Sequence, residues 1–107
     1  MAAATGNSPM AQASREVGGA LTGTAGAVGN LTASLIAGGV PSGPSTSLSQ
    51  ALGTFSGAPT LANLVLAVQA YNDAVRAMPA GTRASPALRM VRLALLRLGS
   101  RTGAPAP

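Results

Sequence analysis

From Val17 to Asn72 the chain runs through 56 residues without a formal charge, while Arg76 to Arg101 carries six arginines and no acid. A protein surface in water normally intersperses charges of both signs. A neutral front joined to a basic back implies that much of the neutral part is covered. At 107 residues the chain forms at most one domain. Only 22 residues are Leu, Ile, Val or Phe, against 23 alanines, and Gly, Pro and Ser together number 32. Large apolar side chains are so few that an isolated monomer is expected to be poorly ordered, gaining its order by burial against a partner or a bilayer.

The segment with the most consistent local signals is Thr60–Met78. Thr60 suits an N-cap, Pro59 blocks continuation upstream, and Pro79 and Gly81 close the far end. Leu61, Leu64, Val65, Leu66 and Val68 surround the axis in the first half. Gln69, Asn72, Asp73 and Arg76 then restore a polar face. A helix apolar all round at one end needs neighbours to cover it.

Residues 1–14 read as a flexible lead without the basic n-region of a secretory signal, and Ala2 excludes myristoylation. Residues 15–40 read as a Gly/Ala-rich helix or arm. Val17, Leu21, Val28, Leu31 and Leu35 recur at helical spacing, with Thr24 in the gap. Gly18, Gly19, Gly23, Gly26 and Gly29 oppose a helix by about 1 kcal/mol each. Gly19, Gly23 and Gly26 fall on one side, and Gly19–Gly23 is a GxxxG pair of the kind that lets helices approach closely. Gly38 and Gly39 are expected to end the segment. Residues 41–46 read as a linker, and 47–99 as the helical region. Within it Leu48, Leu52 and Phe55 outline a short helix. Ser85 and Pro86 open a last one, whose seam of Leu88, Val91, Leu95 and Leu98 is expected to pack on the Thr60–Met78 helix, with Gly99 as its stop. Residues 100–107 read as a tail.

The inventory for chemistry is nearly empty. The chain has no His, Cys or Lys, and its only carboxylates are Glu16 and Asp73. No Ser–His or Cys–His pair can be assembled, two isolated acids do not make a metal site, and the glycines fit neither nucleotide-binding pattern. Glu16 adjoins Arg15, and Asp73 stands one helical turn from Arg76, so ordinary ion pairing accounts for both. An enzyme is not expected, nor a cofactor. Asn30-Leu31-Thr32 is a formal glycosylation sequon, a triplet that arises easily by chance. All seven basic residues are arginine, which in an Ala-, Gly- and Pro-rich chain points to GC-rich coding rather than to phosphate chemistry.

The expected fold class is all-α: a small helical hairpin or bundle over about 47–98, a Gly-rich N-terminal helix or arm over about 15–40, and flexible termini. The expected role is structural, a coat, filament, shell or accessory subunit ordered by contacts with other subunits. Gly19, Gly23, Gly26, Leu31, Leu35, Leu61, Leu64, Val65 and Val68 are the candidate subunit contacts. Arg83, Arg89, Arg92, Arg97 and Arg101 are the candidate contacts with nucleic acid or an acidic partner. Without aromatic interleaving, nucleic-acid binding would be non-specific. Two alternatives stand beside this reading. One is a small membrane protein, spanning through the uncharged Val17–Val40 or lying on the surface through Leu93 and Leu96 among the arginines. The other is a disordered peptide that folds on a partner. The plain alternative for the basic helix is a solvated face.

Overall fold

A computed structural model describes residues 8–82 and 85–102. Every regular element among them is an α-helix: α1 (Pro9–Thr22), α2 (Ala27–Ala37), α3 (Ser42–Gly57), α4 (Leu61–Ala77) and α5 (Pro86–Thr102). The all-α class is therefore as the sequence implies. The α4 boundaries also follow from the sequence. Thr60 caps the helix, its hydroxyl accepting from the Asn63 amide at 3.2 Å. Ser85 does the same for α5, accepting from Leu88 at 3.3 Å.

Four expectations need correction. The segment 15–40 is neither an arm nor one helix but two helices meeting at a corner. Gly23 caps α1 at φ 77° and Gly26 opens α2 at φ 79°, left-handed conformations that turn the chain and that glycine adopts without strain. Residues 41–46 are not a linker, since α3 starts at Ser42. Pro44 is tolerated because it sits in the first turn, where its missing N–H has no intrahelical partner to lose. The lead is helical from Pro9, with the Ser8 hydroxyl accepting from Ala11 at 3.1 Å; its residues 1–7 lie outside the described residues. At the other end α5 passes through a buried Gly99 to Thr102 instead of stopping.

The core closes within one chain. Leu31, Leu35, Leu48, Leu52, Leu64 and Leu95 have no exposed surface, and Val17, Val68, Leu88 and Val91 are buried beside them. Alanine, a small contributor to an expected core, is used heavily: Ala13, Ala20, Ala27, Ala67, Ala74 and Ala87 are all buried. Small side chains let helix axes approach, so fewer large ones are needed to fill the space between them. Ser45 and Ser49 extend this into α3, and each hydroxyl is satisfied. Ser45 donates to the Val40 carbonyl at 3.2 Å and Ser49 to that of Ser45 at 2.8 Å. Thr32 of α2 is also hydrogen-bonded to Ser49, across the helix pair.

Helices α3 and α4 form the most extensive pairing, and α1 packs on α2, α3 and α5. The α5 seam thus rests on α1 more than on α4, a partner not expected from the sequence. Pro9 and Ala13 lie beside Pro86 and Ala87, while Val17 and Leu21 lie beside Met90 and Ala94, so α1 and α5 run parallel. The radius of gyration is 13.1 Å, about the 13 Å of a compact chain of this length, which leaves no room for an extended arm.

Candidate docking face

Helix α5 has two faces set by its sequence. Leu88, Val91 and Leu95 are buried, with Leu98 half-buried beside them. At 100° per residue, Arg89, Arg92, Leu93, Leu96 and Arg97 then fall within about 140° on the opposite side. Arg89, Arg92, Arg97 and Arg101 are all exposed, and none forms an ion pair among the described residues. Arg89 and Arg101 are about 18 Å apart along the axis, from the helical rise. Leu93 is 44% exposed in the middle of this row and Leu96 is half-buried. Arg83, the remaining expected member, lies outside the described residues.

The two carboxylates are engaged elsewhere. Asp73 pairs with Arg76 on exposed α4 surface. Glu16 accepts from Ser34 at 2.6 Å and from Gln12 at 3.3 Å, fastening α1 to α2. No counter-charge lies on α5 itself. Arg92 is near the buried Tyr71. Burial pushes the Tyr71 hydroxyl above its ordinary pKa of 10.0, and the Arg92 charge opposes that shift in part.

No protein-family model, characterised protein or solved structure matches this chain. The site must be read from its own geometry.

The expected subunit contacts separate into two groups. Leu31, Leu35, Leu64 and Val68 are covered by the chain itself. Side chains with so little accessible surface have almost none to give a second subunit. The glycines have roles within the chain. Gly19 does stand at a close approach, but an added Cβ would lie 3.0 Å from Ala27 of the same chain. Gly23 and Gly26 form the corner between α1 and α2. Val65 is half-buried, and Leu61 remains accessible at 51% exposed. The candidate membrane span Val17–Val40 is divided between two helices, and no helix among the described residues is long and apolar enough to cross a membrane. Nor do the described residues contain a group of side chains that could hold a metal ion.

The sequence did not disclose a groove of about 130 Å³ between α1 and α5, floored by Val17, Leu21, Met90 and Ala94 and bordered by Gly18 and Arg97. Its α1 side belongs to the stretch read as lead and arm, so nothing in the sequence placed it against α5.

Proposed function

We propose that this protein is a small non-enzymatic assembly component that docks on an anionic macromolecular partner through the outward face of α5. The observation that carries the reading is the row Arg89, Arg92, Arg97 and Arg101, exposed, without ion pairs among the described residues, and with both carboxylates engaged on other helices. A solvated helix face ordinarily mixes charges at i,i+4 spacing, which adds stability. A row of one sign is kept at a cost in self-repulsion that an anionic partner would relieve. Because the core closes within one chain, docking need not supply the fold. The partner's surface meets a helix already in place.

The test uses duplex DNA as a generic polyanion probe. Replacing Arg89 and Arg97 by Gln lowers the formal net charge from +5 to +3. So does replacing Arg15 and Arg76, which lie on α1 and α4. The α5 pair is expected to flatten the salt dependence of binding by about two units of log–log slope, each lost phosphate contact removing about one. The control pair should leave the slope within about half a unit. Equal losses from both pairs would mean that net charge alone drives binding, and would overturn the reading.

A further inference from the structure

We infer that the partner of this face is an acidic protein segment that inserts one apolar side chain into the groove between α1 and α5. This rests on the docking reading above and names the partner's chemistry. Leu93, 44% exposed, lies within the arginine row, and Arg97 itself borders the groove. A row of phosphates can meet the guanidinium groups but offers nothing to Leu93 or to a floor of Val17, Leu21, Met90 and Ala94. The chain's only Tyr and Phe, Tyr71 and Phe55, are buried, so no aromatic platform is available for stacking bases. A lipid surface fits less well, because the leucine seam of α5 is turned into the core and leaves only Leu93 and Leu96 outward.

A groove of about 130 Å³ is well below the volume that holds a drug-sized ligand and suits a single side chain. Arginine pairs carboxylates in a planar, two-pronged geometry, so glutamates on either side of a buried leucine or isoleucine complement Arg89, Arg92, Arg97 and Arg101 together. Gly18 borders the groove, and a Cβ built there meets nothing within 4 Å. Gly18 is also an ordinary helical residue without a positive φ. A larger side chain is therefore tolerated at this edge of the groove without strain in the backbone.

The probe is a synthetic helical peptide of about 15 residues, a length at which isolated helices begin to form. It carries glutamates around a central leucine, and a second peptide has serine at that position. The full-length protein should bind the leucine peptide about tenfold or more tightly than the serine peptide, the range expected for burying one such side chain. Gly18→Leu should abolish that difference while leaving the salt slope on duplex DNA unchanged. Equal affinity for the two peptides would overturn the inference, and it needs no variant to fold. Duplex DNA or phosphatidylserine vesicles binding more tightly than the leucine peptide would overturn the choice of partner. Failure of the groove tests with the α5 arginine effect intact removes this inference alone. Loss of the arginine effect removes the docking reading with it.

Discussion

Gly38 and Ser85 are packed so closely that a Cβ added to Gly38 would lie 2.3 Å from that of Ser85. Gly38 caps the C-terminus of α2, and Ser85 caps the N-terminus of α5. The contact therefore sets the start of α5 against the end of α2. Here glycine is required by space alone, since Gly38 has φ −86° and its backbone is open to any residue.

Gly38→Ala is accordingly expected to destabilise the fold by about 1–3 kcal/mol, the usual cost of forcing extra volume into a packed contact. At about 4–8 °C per kcal/mol for a domain of this size, thermal unfolding should show it clearly. Gly43→Ala is the control. Its Cβ meets nothing within 4 Å and it lies within α3, so it should leave stability unchanged or raise it by up to about 1 kcal/mol. A Gly38→Ala protein that melts with the parent would show that the α2–α5 junction is looser than described.

Tyr71 gives the fold a pH dependence at the alkaline end. Burial raises its pKa in the folded state above 10.0, with Arg92 opposing in part. Between the unfolded and folded values the native chain holds a proton that the unfolded chain has released. The slope of unfolding free energy with pH is therefore negative there. The contribution of Tyr71 is fully present below about pH 10 and is lost as pH rises through the folded value. Urea denaturation from pH 9 upward should show stability falling above pH 10, and Tyr71→Phe should reduce that fall. An unchanged slope in Tyr71→Phe would place its origin elsewhere.

Much of this fold was legible where a cap and a periodic seam coincide. Thr60 with Leu64 and Val68, and Ser85-Pro86 with Leu88, Val91 and Leu95, each specify a helix start and a buried side. The same Ser-Pro cap stands at Ser8-Pro9, yet Ala13, Val17 and Ala20 bury too little bulk for the seam of α1 to show. The Gly19–Gly23 pair was legible as a close approach but not as an intramolecular one. A spacing of four residues does not reveal that Gly23 leaves the helix at φ 77°. The arginine row could be read directly from its 3-5-4 spacing. The groove beside it could not, because it depends on α1 lying parallel to α5 across more than 60 residues of intervening chain.

A final expectation follows from the closed core. Scarcity of large apolar residues argues for a chain ordered only by partners, whereas burial of Leu31, Leu35, Leu48, Leu52, Leu64 and Leu95 inside one copy argues for folding alone. The purified chain should unfold in one cooperative thermal transition whose midpoint does not depend on protein concentration, as an oligomer's would. Leu35, with no exposed surface and about one helical turn from Gly38, is the position to probe. Leu35→Ala should cost about 2–5 kcal/mol through lost burial and the cavity left behind. A small domain has about 5–15 kcal/mol in all, so the variant should remain folded in the cold but melt far below the parent. Leu61→Ala, at a half-exposed site on α4, should move the midpoint little, within about 0.5 kcal/mol. A broad, concentration-dependent melt, with the two substitutions acting alike, would return the source of order to contacts between subunits.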